Sequence, residues 1–296
     1  MAQETFKLTL DNVAVDVSVT INDTSAAPLA GSESFTDTGT SSWTVPNGVT
    51  SISAVAVGGG GGGFGYWNYD ANTLRTQTSG AGGDLRWVED LTVTPGETLT
   101  VTVGVKGDKA SVSGGAYGNY SNQSKAGGSS SIARGTTILL RGKGGSASGQ
   151  TNSDSNVGDG GGIGGGMQSG QIMSHYGGAG GGGASGYQGD GTIGAPGGGS
   201  QYNWYYAGTP QGGSASGGDG GFGKSSAGAG GGGVGILSQG TSAAKQSGRG
   251  GSGGSNASGA TGGAYGGGGA GGRNPGDGAQ GAVRIIWGGS QYPFPT

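Results

Sequence analysis

The sequence contains no cysteine, which removes disulfide staples and thiolate metal sites at once. Charge is nearly as scarce: Asp, Glu, Lys and Arg make up 10% of the residues, against about 25% in ordinary domains. Hydrophobic residues reach only 30%, where about 45–50% is usual. Low hydrophobicity reads as disorder only when net charge is high, and here the net charge is −3. Eight prolines are too few to stiffen the chain as polyproline. No stretch approaches the roughly 18 apolar residues of a membrane span. The start MAQETFKLTL has neither a basic region nor an apolar run. That predicts no secretory signal, synthesis in a cytoplasm and release by a route other than Sec export.

What the chain has in abundance is glycine, 81 residues of it, in runs interrupted by short aromatic-bearing segments. The runs include Gly58–Gly63, Gly160–Gly166, Gly177–Gly183, Ala195–Gly199 and Gly228–Gly233. Such stretches cannot form a side-chain core. They can pack bare backbones together and project whatever sits at the turns, which points to a display scaffold and not to an enzyme.

Three parts follow from the patterning. Residues 1–30 form an N-terminal attachment segment: Phe6, Leu8 and Leu10, then Val13, Val15, Val17, Val19 and Ile21, alternate with polar residues around an Asp11-Asn12 turn. An isolated hairpin is marginal in water, so its apolar face needs a partner. Residues 31–141 read as an antiparallel β-sandwich. Strands are expected in Ser42–Val57, in Asp84–Val105 with a type II turn at Thr94-Pro95-Gly96-Glu97, in Ser129–Ala133 and in Thr136–Arg141. On the strand after that turn, Leu99, Val101, Val103 and Val105 share one face. Residues 142–281 are an inserted glycine-rich bundle, and Ala282–Trp287 returns as a strand that closes the sandwich. Residues 288–296 are a C-terminal tail.

Collagen requires glycine strictly every third residue with abundant proline, and the register here breaks repeatedly. A flexible linker is the bland alternative. The third structure is the polyglycine II helix, left-handed with about three residues per turn and a rise of about 3.1 Å. It has no internal hydrogen bonds, but without Cβ atoms neighbouring helices approach until each N–H reaches a neighbour's carbonyl. Glycine loses much backbone freedom on ordering, and each bond contributes only about 1 kcal/mol net, so one run alone stays disordered. Many runs tied to strands at both ends favour the bundle. The expected fold class is therefore all-β plus polyglycine II: an antiparallel β-sandwich scaffold with an inserted helix bundle and essentially no α-helix.

The interruptions carry Tyr66, Trp67 and Tyr69; Tyr117 and Tyr120; His175 and Tyr176; Tyr187; and Tyr202, Trp204, Tyr205 and Tyr206, among Asn, Gln, Ser and Thr. Aromatics with Ser, Gly and Asn are the chemistry of antibody paratopes. Loops at Phe64–Ser79, Met167–Tyr176 and Ser200–Gln211 are the expected receptor contacts. The candidate binding residues are Tyr66, Trp67, Tyr69, His175, Tyr176, Tyr202, Trp204, Tyr205 and Tyr206. The bland alternative for any one ring is that it covers an edge of the bundle.

Glycine runs with variable loops behind a β-rich region resemble the tip adhesins of tailed-phage tail fibres. The segments TVPNGVTSISAVAVGGGGGG and GAVRIIWGGSQYPFPT are similar to glycine-rich virion structural proteins of marine phages, cyanophages included. The resemblance covers residues 40–296 and implies a virion protein assembled in the host cytoplasm, a receptor-binding adhesin at a fibre tip. It implies as partners other virion proteins at the N-terminal segment, host surface polysaccharide or an outer-membrane protein loop, and a homotrimer as a possible assembly. A capsid decoration or other virion appendage, and an ice-binding protein, are the rival readings.

Motifs for chemistry are weak. Gly218–Ser225 matches the phosphate-binding pattern G-x-x-x-x-G-K-S, but no apolar strand precedes it and no helix-forming segment follows. Asp159, Asp190, Asp219 and Asp277 each stand between glycines, at spacings too wide for a calcium-binding repeat. His175, the only histidine, has no nucleophile motif near it. Basic residues are too few and scattered for a nucleic-acid footprint. The expectation is no catalytic residue, no metal site, no cofactor, no nucleic acid and no membrane insertion.

Overall fold

The computed structural model describes residues 3–10, 13–20, 30–65, 77–112, 120–122, 124–147, 156–166, 180–187, 223–224, 227–228, 230–236, 261–271 and 275–288. In chain order the strands begin with β1 (Gln3–Leu10), β2 (Val13–Thr20), β3 (Gly31–Phe35), β4 (Gly39–Thr44) and β5 (Ser51–Val57). Next come β6 (Phe64–Gly65), β7 (Gln77–Thr78), β8 (Leu85–Thr92), β9 (Thr98–Val103), β10 (Ser111–Val112) and β11 (Tyr120–Asn122). The series ends with β12 (Ser130–Arg134), β13 (Thr137–Gly142), β14 (Gly160–Gly162), β15 (Gly223–Lys224), β16 (Ala227–Gly228) and β17 (Ala282–Trp287). The described residues hold strands and no helix.

Two antiparallel sheets face each other. One has the order β14-β8-β5-β17-β3, the other β13-β12-β9-β4. Alternation makes the interface. Leu99, Val101 and Val103 of β9 point inward with Trp43, Ile132 and Leu140, against Ile52, Ala54, Ala56, Val88, Val283 and Ile285 of the five-stranded sheet. Trp43 and Trp287 bridge the layers with ring centroids 5.6 Å apart. The Thr94–Glu97 turn closes with a 3.0 Å bond from the Glu97 N–H to the Thr94 carbonyl, and Gly96 takes φ 80° as type II requires.

The five-stranded sheet is covered on its second face too. Val55, Val57, Leu85, Ala282 and Ile286 meet Ala184, Tyr187, Val234 and Ile236 in a second cluster. This explains why Ile52–Val57 of β5 is buried at every residue and not at alternate ones. Each edge strand of this sheet has a glycine overlain by a tryptophan of its neighbour. Trp287 lies over Gly31 and Trp87 over Gly160, so the ring fills the space a side chain would occupy.

Beyond the sheets the chain continues as glycine-rich runs joined laterally, and the run 58–63 has a regular pattern. Its N–H groups donate in rotation to three neighbours. Gly58 and Gly61 reach Asp84 and Ala81, Gly59 and Gly62 reach Gly128 and Lys125, and Gly60 and Gly63 reach Ala279 and Gly276, all at 2.7–2.9 Å. These three runs are antiparallel to it. Three parallel runs donate back: Gly145 to the Gly59 carbonyl, Gly107 and Ala110 to Gly60 and Gly63, and Gly269 to Gly61. The run is thus surrounded by six others, its bonding repeats every third residue, and all six of its residues are buried.

The same period sorts the outer run 104–110. Gly104, Gly107 and Ala110 are buried, while Val105, Lys106, Asp108 and Lys109 are exposed. Val105, expected as a fourth inward residue of β9, is instead 54% exposed. The strand ends at Val103, and the chain changes there from a period of two to a period of three.

At its interior glycines the array has no room for a side chain, although buried alanines stand at other positions of the runs, Ala81 and Ala270 among them. A Cβ at Gly61 would stand within bonding distance of the Ser146 carbonyl, and one at Gly181 within that of the Gly268 carbonyl. Gly61→Ala and Gly181→Ala should each destabilise by at least about 2 kcal/mol, because backbone and not a flexible side chain must move. Thr98→Ala, on an exposed strand position, should stay within about 0.5 kcal/mol. Thermal unfolding compares them; an unchanged midpoint for either glycine variant refutes the packing described.

Candidate functional site: the free end of the glycine array

The topology gives the array two different ends. At the sheet end, runs start where strands stop: Gly58 follows β5, Gly104 follows β9 and Ile163 follows β14. At the opposite, free end, four pairs of the described runs are joined. The 58–63 run continues through β6 and returns through β7 into 79–84, so residues 66–76 connect the two beyond Gly65 and Gln77. The 104–110 run goes through β10 and comes back through β11. Residues 167–179 connect Gly166 to Gly180, and 272–274 connect Gly271 to Pro275, also on that side. Neighbouring runs carry these connections. Gly182 donates to the Gly80 carbonyl and Gly268 to that of Gly182, at 2.9 Å each.

The candidate binding residues fall on these connections unevenly, and all lie outside the described residues. Tyr66, Trp67 and Tyr69 belong to 66–76, and His175 and Tyr176 to 167–179, two connections that leave the array at the same end. Tyr202, Trp204, Tyr205 and Tyr206 belong to 188–222, which departs from Tyr187 at the sheet end. Tyr187 itself was expected at a tip and is not there. It is 3% exposed in the second cluster; its hydroxyl donates to the Gly235 carbonyl at 2.8 Å, and its own carbonyl accepts from Trp87 Nε1 at 3.1 Å. Here the ring covers the outer face of the sheet. Burial raises its pKa, with Arg284 pulling weakly the other way.

At the sheet end, side-chain oxygens take over where the two periods meet. The Leu85 N–H donates to Ser185 Oγ at 2.6 Å and Gly104 N–H to Ser130 Oγ at 2.9 Å. Gly164 N–H donates to Asp84 Oδ1 at 2.7 Å. Asp84 Oδ2 accepts from Asn156 Nδ2 at 2.8 Å, and Asn156 Oδ1 from the Lys143 N–H at 3.2 Å. Sequence reasoning passed over Asp84, Ser130 and Ser185. For Asp84 the available signal was a lone acid set between a glycine run and an apolar strand, in GGDLRWV; the two serines carry no such mark.

Three further acids among the described residues are engaged by the protein. Asp277 pairs with Lys106 at 2.6 Å and accepts from the Lys109 N–H at 2.9 Å. Burial opposes ionisation there, yet these donors hold the carboxyl below its ordinary range. Asp108 pairs with Lys125 at 3.1 Å, bracing two outer runs at an exposed site worth at most about 1 kcal/mol. Asp159 Oδ2 accepts from the Glu89 N–H at 2.9 Å. Gly223–Lys224, from the phosphate-binding pattern, pairs with Ala227–Gly228 as a short hairpin and does not open a helix. Among the described residues no group of three or more His, Cys, Asp or Glu could hold a metal ion.

Residues 36–288 match a family model described as a glycine-rich domain. The chain belongs to this glycine-rich domain family. No curated protein matches it. The match begins at the corner between β3 and β4 and ends just past β17, so it takes in the array with nearly all of both sheets. The hairpin β1–β2 lies outside it.

Asp84 gives the joint a pH signature. Burial pushes its pKa up to about 6, against the bonds from Gly164 and Asn156 and the charges of Arg86 and Lys143. A folded-state pKa above the unfolded value of 3.8 means the fold binds the proton more tightly. Stability from this group is complete below the unfolded pKa and is lost as pH rises through about 6, a change of about 3 kcal/mol. The stability of the native chain minus that of Asp84→Asn should therefore fall across this window, measured by urea unfolding at a series of pH values. A constant difference contradicts the burial of a titrating carboxyl.

Proposed function

We propose that this glycine-rich domain is a bacteriophage virion structural protein, a tail-fibre tip adhesin whose array presents receptor-binding connections at its free end. The runs are polyglycine II helices on this reading, and the three-residue rotation of lateral hydrogen bonds supports that assignment. The observation that carries the reading is the shared departure of 66–76 and 167–179 from adjoining runs, on the side away from the sheets. Both bear aromatics among polar residues, which suits stacking on surface sugars and contact with protein loops. The array fixes the roots of the connections through backbone alone, so their sequences are free to differ. Partners on this reading are host surface polysaccharide or an outer-membrane protein loop, and the site is the virion.

Changing Tyr66, Trp67 and Tyr69 together to alanine should abolish adsorption to host cells with an unchanged circular dichroism spectrum. Changing Trp204, Tyr205 and Tyr206 together tests the second aromatic group, whose segment leaves from the sheet end. Normal adsorption by both triple variants would turn the reading toward a capsid decoration or another virion appendage.

The hairpin supplies the attachment element. Its register pairs Glu4 with Val19, Phe6 with Val17, Leu8 with Val15 and Leu10 with Val13, which places seven apolar residues and Glu4 on one face. The opposite face holds Thr5, Lys7, Thr9, Ala14, Asp16 and Ser18. A two-stranded sheet this amphipathic needs cover, and its position outside the family match suits an added docking module. Deleting residues 1–20 should leave the sandwich folded and its unfolding midpoint unchanged, while the protein disappears from purified particles. Normal incorporation of the truncated chain would refute the attachment role.

A further inference from the structure

Four strands form the edges of the two main sheets: β3 and β14 on one, β4 and β13 on the other. Open edges recruit foreign strands, and proteins guard them with charge, brevity, bulges or cover. Three of these edges are guarded. In β3, Glu33 shares a face with Phe35 and stands opposite Ile285, placing a charge on the core side of the edge. β14 is three glycines long, with Gly161 at φ 109°. β13 is covered at Arg141, which exchanges backbone bonds with Val157 at 2.8 and 3.2 Å.

β4 has none of these guards. Gly39–Thr44 reads GTSSWT, without charge or proline, and pairs with β9 without a register shift. Every residue but Trp43 is exposed. Among the described residues, no strand lies on its other side.

We propose that β4 is a self-association edge that pairs antiparallel with β4 of a second copy, about a two-fold axis through Ser42. In this register Ser42 opposes Ser42 and Thr40 opposes Thr44 on the outer face, while Ser41 opposes Trp43 on the core face. The second copy is the fitting occupant because the strand complements itself. Hydroxyl meets hydroxyl, as in favourable cross-strand pairs, and no like charges come together. The row Thr40, Thr102 and Ser131, already aligned across three strands, then runs on into the partner's sheet. Pairing of this kind closes after two copies, so it builds a dimer and not the homotrimer that the phage resemblance allows. Since Gly39 lies beside Val103 at the sheet end of the array, the two free ends point in opposite directions. The proposal is independent of what those ends bind.

The chain has no cysteine, so single introduced thiols report the register directly. Opposed residues of an antiparallel pair have Cα atoms about 4.5–5.5 Å apart, within the roughly 4.4–6.8 Å that a disulfide spans. Ser42→Cys should form a disulfide-linked dimer under mild oxidation at high protein concentration. Thr40→Cys and Thr44→Cys should each remain monomeric alone and cross-link when mixed. Failure of Ser42→Cys to cross-link faster than Thr40→Cys overturns the second copy as occupant and leaves the edge to a foreign strand. Equal cross-linking by all three variants overturns the register.

Discussion

The described glycine-rich runs depend above all on one interaction, the lateral hydrogen bond between closely packed backbones. A strand satisfies its N–H groups on two sides, so it builds a sheet. The run 58–63 rotates its donors through three directions and its acceptors through three more, so it builds in two dimensions. Six neighbours are the consequence, and closeness is the condition. A Cβ at most interior glycines, Gly61 and Gly181 among them, would stand against a neighbouring carbonyl. Each bond contributes only about 1 kcal/mol, and ordering a glycine costs at least as much. The array is therefore stable only as a whole, with its runs held at known positions by the strands from which they start.

That dependence concentrates the structural problem at the sheet end, where a two-residue repeat must become a three-residue one. Backbone acceptors fall out of step at such a boundary, and an unsatisfied buried N–H is costly. Ser130, Ser185 and Asp84 supply the missing oxygens to Gly104, Leu85 and Gly164. Among the described residues these are three of the five buried polar side chains. Asp84 does this with a carboxylate that burial disfavours, so the joint becomes sensitive to protons as a side effect of where it sits.

Much of this was legible before any coordinates. Alternation in Leu99, Val101 and Val103 and the Pro95-Gly96 turn each have a local cause, and the structure has them where the pattern places them. The same period misled at Val105. The segment GVKGDKA places small residues at Gly104, Gly107 and Ala110, a three-residue repeat that a search for strand and helix periods does not see. Tyr187 was misjudged because an aromatic beside a glycine run reads as a loop tip. Its burial depends on an outer sheet face reached from residues far along the chain. The partners of each run were not legible at all, since one glycine is like another and register comes from the strands.

The candidate site owes its arrangement to the same asymmetry. At the sheet end the chain is committed: strand order, the second apolar cluster and the side-chain acceptors fix which run follows which strand. Toward the free end, backbone bonding between adjoining runs determines where a connection begins, with the Lys106–Asp277 and Lys125–Asp108 pairs bracing the outer runs. A scaffold whose register is set by glycine backbones and whose identity is set at one end leaves the other end's sequence unconstrained by packing. The enrichment of aromatic residues in 66–76, with Tyr66, Trp67 and Tyr69, calls for a cause outside the packing of the described runs. On the proposed reading, contact with a surface is that cause, since tyrosine, tryptophan and asparagine are the residues of adaptable binding loops.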